Sequence, residues 1–96
     1  MSPKQFDSIF QANLEKLQTA FGKDVLHAKG FFRTNKNRRN ESFLYVIVSE
    51  ATFNEFRKME FEANGRDREY SAFEWLSQRA KFFRTQPQAV RFIESL

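Results

Sequence analysis

The chain has no cysteine, a single histidine, three glycines and two prolines. Without cysteine there is no disulfide, no thiolate nucleophile and no Cys-based zinc site. The same absence points to a reducing compartment, because small secreted domains usually depend on disulfide staples. His27 has no second imidazole with which to form a metal pair, and it reads as a surface or edge residue rather than a base or ligand. The scattered glycines form no phosphate-cradling loop, and Ser8, Ser42, Ser49, Ser71 and Ser77 lie in no nucleophile elbow. No apolar run approaches the roughly 20 residues of a membrane span. The opening Met1-Ser2-Pro3-Lys4-Gln5-Phe6-Asp7 lacks the apolar core of a secretion signal, which makes the glycosylation pattern Asn40-Glu41-Ser42 a chance match. The expectation is a cytoplasmic, non-enzymatic protein with no cofactor, no metal and no membrane partner.

What the chain has in plenty is phenylalanine: 13 Phe in 96 residues, against two Tyr and one Trp. A chain of this length is one domain, residues 1–96, and it buries a modest core. Each aromatic side chain buries about 150–250 Å², so most of these rings are expected inside.

Hydrophobic spacing gives an α+β plan: a helix, a long-looped antiparallel β-hairpin, then two or three helices. Ser2, Pro3 and Gln5 form a capping box that starts the first helix. Phe6, Ile9, Phe10, Leu14, Leu17 and Phe21 recur along one face, with Asn13 a polar intruder and Gly22 at the end. Val25–Arg33 alternates loosely, with Leu26, Ala28, Gly30 and Phe32 on one side and His27, Lys29, Phe31 and Arg33 on the other, outer side. Phe43–Val48 is a continuous apolar run, as in a strand covered on both faces. A polar connection, Thr34–Glu41, joins the two strands and reads as a protruding loop. Thr52-x-x-Glu55, Ser71-x-x-Glu74 and Thr85-x-x-Gln88 each predict a helix start. Phe53, Phe56, Met59 and Ala63 would face inward from the first of these helices, and Phe73, Leu76, Ala80 and Phe83 from the second.

Asn64-Gly65 raises an alternative, because this pair also favours a two-residue hairpin turn. That register sets Glu62 opposite Asp67 and Glu60 opposite Glu69, an unfavourable pairing of like charges. Helix is therefore preferred over 53–70. The alternative order, helix–three strands–helix, is similar to the topology of a double-stranded-RNA-binding domain, without any sequence motif of that family. A lone hairpin is marginal in water, so helices over both faces, or a second copy at the hairpin edge, must complete it. Lys29–Thr34 resembles Lys81–Thr85, but the match is too short for a structural repeat, and the two segments are expected on a strand and a helix.

The charge is uneven. Residues 23–39 carry six Lys or Arg against Asp24 alone, and residues 79–91 carry four bases and no acid. Residues 50–74 hold seven acids and four bases. The basic segments suggest phosphate contacts from Lys29, Arg33, Lys36, Asn37, Arg38 and Arg39, with Arg79, Lys81 and Arg84 extending the surface. Phe31 or Tyr45 would offer a stacking face. The same charges equally suit a solvated loop that pairs with the acidic middle of the chain. The acidic cluster Glu60, Glu62, Asp67, Glu69 and Glu74 lies among Arg57, Lys58, Arg66 and Arg68, as on an ion-paired helix surface. The leading expectation is a nucleic-acid-associated binding module. Its rival is an adaptor or inhibitor that binds a larger protein, homodimeric through the hairpin edge, with exposed Phe side chains as anchors.

Overall fold

A computed structural model describes residues 2–34, 40–62 and 66–96, with side chains described for 2–29, 43–62 and 71–96. The fold is α+β, as the hydrophobic spacing predicts. It comprises α1 (Pro3–Ala12), α2 (Leu14–Phe21), β1 (Val25–Thr34), β2 (Asn40–Ser49), α3 (Glu50–Glu62), α4 (Arg66–Ser77), β3 (Lys81–Phe83) and α5 (Gln86–Ser95). The sheet is antiparallel with order β1-β2-β3, so β2 is central and β1 forms one edge.

The capping box of α1 is formed. The Gln5 amide donates to Ser2 Oγ at 3.2 Å, and the Ser2 amide donates to Gln5 Oε1 at 2.7 Å. Asn13 breaks the expected single helix into α1 and α2. Its side-chain amide donates to the Ile9 carbonyl at 2.9 Å, and its backbone bridges the two segments through Phe10 and Leu17. Both halves keep one apolar face, with Phe6, Phe10 and Leu17 buried and Ile9, Leu14 and Phe21 packed beside them. Gly22 ends α2 at φ +114°, a conformation that side-chain-bearing residues rarely adopt.

The Phe43–Val48 strand has cover on both faces. Tyr45 and Ile47 pack with Val25, Phe83 and the apolar sides of α1, α2 and α5. Val46 and Val48 point the other way, into a cluster with Phe56, Phe73, Leu76 and Ala80 from α3, α4 and the turn after α4. The residues 53–62 and 66–70 are helical, which removes the hairpin alternative; the Asn64-Gly65 pair itself, with Ala63, lies outside the described residues.

Several boundaries differ from the sequence expectation: Thr34, Asn40 and Glu41, expected in the polar connection, belong to β1 and β2, and the helices after the hairpin start and stop elsewhere. The first post-hairpin helix, α3, begins at Glu50 rather than at Thr52, because β2 runs into it without a loop. Ser49 Oγ accepts from the Thr52 amide at 3.2 Å, and Asp24 takes the Ala51 amide on its carboxylate at 2.9 Å and the Glu50 amide on its carbonyl at 3.0 Å. The next helix, α4, starts at Arg66, ahead of the Ser71 signal, and stops at Ser77. Its last turn is closed by Ser77 Oγ on the Phe73 carbonyl, the Arg79 amide on the Leu76 carbonyl and Arg79 Nη1 on the Trp75 carbonyl. Phe83 therefore leaves the helix expected for it and sits in β3, on the opposite side of the sheet from Phe73 and Leu76. As a result the similar segments Lys29–Thr34 and Lys81–Phe83 are both strands, and they flank β2 on its two sides. The third helix begins where the sequence predicts: Thr85 is the N-cap of α5, in extended backbone, though its side chain makes no capping bond.

Candidate functional site

Of the nine residues of the expected binding surface, the five described ones divide into two groups along β2. Lys29 stands on β1 opposite Tyr45 and is exposed; Arg33 lies nearer the tip, with Glu41 as its register partner. Arg84 follows β3 toward the same end, its guanidinium carbon 5.3 Å from the centre of the Phe43 ring. Lys36, Asn37, Arg38 and Arg39 lie outside the described residues. Lys81 sits opposite Ile47, and Arg79 precedes it. β1 and β2 stay paired beyond β3 as a two-stranded arm, and at about 3.3 Å per residue the level of Ile47 is roughly 23 Å from that of Asn40 at its far end. The five described residues of the set therefore do not converge. Lys29, Arg33 and Arg84 belong with the arm, while Arg79 and Lys81 sit at the far end of the sheet.

The face carrying His27 and Lys29 is not an outer face at its inner end. His27 lies between α1 and the sheet, with ring centroids 5.0 Å from Phe6, 4.7 Å from Phe10 and 6.1 Å from Tyr45. Its Nε2 is 3.0 Å from Asp7 Oδ1. Sequence parity missed this pairing, since nothing local links positions 20 residues apart. The hydrogen bond from His27 holds the Asp7 carboxyl below its usual range, with a smaller contribution from Gln11. Among the described residues, no group of three His, Asp or Glu side chains gathers in metal-binding fashion.

Tyr45 cannot act as a stacking platform. It is 3% exposed, its ring is stacked on Phe6 at 3.9 Å, and its hydroxyl accepts from Gln86 Nε2 at 3.2 Å. Phe31, the other ring considered, has no described side chain. The large apolar side chain most exposed among those described is Phe61 on α3, at 91%.

A shallow cleft of about 360 Å³ opens at the far end of the sheet from the arm, between the end of α2, the start of α3 and the α4–β3 turn. Arg79 and Lys81 line it with Ser49, Thr52, Ser77 and Gln78. These residues come from two separate segments, so no local motif reveals them.

No protein-family model, curated protein or solved structure matches this chain. Among the described residues no helix is long and apolar enough to cross a membrane.

Proposed function

We propose that this is a nucleic-acid-associated binding protein that engages phosphates through the β1–β2 arm and its basic connection. The observation that supports the reading is the reach of the arm. The third strand pairs with β2 only at Tyr45–Ile47, whereas β1 and β2 stay paired out to Thr34 and Asn40. The two-stranded ribbon thus runs on past the third strand toward the segment that carries Lys36, Arg38 and Arg39. The molecule measures 40 × 25 × 20 Å, long in one direction. A two-stranded ribbon fits the major groove of duplex DNA, about 12 Å wide. Lys29 on β1, with Arg84 at the root of the arm, adds positive charge behind the tip. Lysine and arginine neutralise backbone phosphates, and Asn37 offers both a donor and an acceptor for phosphate or base edges.

The test is a band-shift series at low salt with duplex DNA, single-stranded DNA and RNA. Lys36→Glu, Arg38→Glu and Arg39→Glu together should weaken the shift by about tenfold or more while leaving the circular dichroism spectrum unchanged. If the parent protein shifts none of these probes, the reading is wrong.

One observation favours a second reading, in which the partner is a protein or another copy of this chain. All ten residues of β1 lie at the sheet edge, where an added strand can pair. Molar mass by light scattering, with a pull-down from host lysate, tests it. A monomer at all concentrations that retains no partner excludes it.

A further inference from the structure

The cleft between α2, α3 and the α4–β3 turn lies apart from the arm, and its lining has the chemistry of an anion site. Two cations, Arg79 and Lys81, line it together with the amide of Gln78 and three hydroxyls, and no carboxylate is among the described residues of the lining.

Only some of these groups still have a proton to give. Ser49 Oγ donates to Thr52 Oγ1 at 2.8 Å, and Ser77 Oγ donates to the Phe73 carbonyl at 2.7 Å, so both hydroxyl protons are committed. Thr52 accepts from Ser49 and keeps its own hydroxyl proton. Arg79 gives one N–H of Nη1 to the Trp75 carbonyl at 2.9 Å, and its guanidinium is held over the Trp75 ring, 4.4 Å from the centroid. That leaves further N–H donors on a side chain whose position is already fixed. Lys81 Nζ lies 6.0 Å from the centre of the Phe92 ring, at the outer limit of a cation–π contact. Its three donors are free to turn toward the cleft. Nearby, Asp24 uses one carboxylate oxygen on the Ala51 amide, so the first turn of α3 already has its anion. Among the described residues, the side-chain donors left in the cleft are the Thr52 hydroxyl, the Gln78 amide, the Arg79 guanidinium and the Lys81 ammonium.

We propose that this cleft is a phosphoryl-group site, in which Arg79 and Lys81 supply the charge and Thr52 and Gln78 the neutral hydrogen bonds. A phosphate ester matches it better than a carboxylate. Its three terminal oxygens can engage a guanidinium, an ammonium and a hydroxyl together, and about two negative charges answer the two cations. The phosphoryl group has two sources: a small phosphorylated molecule or the 5′ end of a nucleic acid strand.

The experiment is a titration followed by ¹⁵N–¹H correlation spectra. Inorganic phosphate should give saturable shifts at Thr52, Gln78 and Lys81, and sodium chloride at matched ionic strength should not. Lys81→Gln alone, and Lys81→Gln with Arg79→Gln, should weaken phosphate binding by about tenfold or more, the factor expected for losing one charge-assisted hydrogen bond. Lys81 is exposed, so its single variant keeps the test valid if the double variant fails to fold. Shifts no larger than those from chloride, or unchanged affinity in Lys81→Gln, would overturn the proposal. A 5′-phosphorylated oligonucleotide that binds more tightly than its 5′-hydroxyl counterpart identifies the strand end as the source; equal binding identifies a small phosphate ester. The triple reversal at Lys36, Arg38 and Arg39 should leave the phosphate shifts intact, so failure of the arm and failure of the cleft are separately visible.

Discussion

At the scale of single residues, phenylalanine anchors the core on both sides of the sheet. Phe6 and Phe56 are almost completely buried on opposite sides of the sheet, one stacked on Tyr45 and the other 5.1 Å from the Phe73 ring. Truncating either leaves a cavity that the surrounding rings cannot close, so Phe56→Ala should cost about 3–5 kcal/mol by urea denaturation. These inward positions were readable from helical spacing, because a wrong facing would expose several rings at once. The partner of His27 was not readable. The Asp7 bond sets a pH dependence whose sign follows from its cause. The Asp7 carboxyl is lowered in the folded protein, so its contribution is present above the ordinary aspartate range near pH 3.9 and is lost as pH falls through the lower folded value. The urea midpoint should therefore drop between pH 5 and pH 2.5 by more in the parent protein than in Asp7→Asn. Equal drops would mean that the bond adds nothing to folding.

At the scale of elements, the errors lie where few residues define a structure. β3 spans only Lys81–Phe83, too short for alternation to register, and the spacing of Phe73, Leu76, Ala80 and Phe83 also suits a continuous helix. Hydrogen bonds from Ser77 and Arg79 to the last carbonyls of α4 decide the matter. Asn13 likewise interrupts a face whose apolar periodicity runs through it unbroken. Gly22 was legible as a stop, and the reason is physical: its φ of +114° disfavours any side chain, and an added Cβ would meet Asp24 Oδ1 at 3.1 Å. Gly22→Ala should cost about 1–3 kcal/mol, with added disturbance of the Asp24 contacts to the start of α3. Because β2 is paired on both sides and covered on both faces, the amides of Tyr45–Ile47 should exchange with solvent most slowly. Faster exchange there than in α4 would contradict the assigned strand order.

At the scale of the whole molecule, the fold class and the two-sided cover of the central strand followed from composition and spacing. The distribution of charge in space did not. One basic segment in the sequence, 79–84, is split by the fold: Arg84 turns to the arm, while Arg79 and Lys81 face a cleft at the far end. Sequence adjacency could not foresee this, because a short strand reverses which end of the molecule its neighbours reach. The arm keeps Lys29 and the strand position of Arg33, and it leads to Lys36, Arg38 and Arg39. The most direct test of the arm's role is the salt dependence of binding to a labelled DNA duplex, measured by fluorescence anisotropy. Five phosphate contacts from these residues predict that log K falls with log salt at a slope of about −4 to −5, and that reversing Lys36, Arg38 and Arg39 flattens it by about 3. A slope near zero, or one that the triple reversal leaves unchanged, would contradict the account.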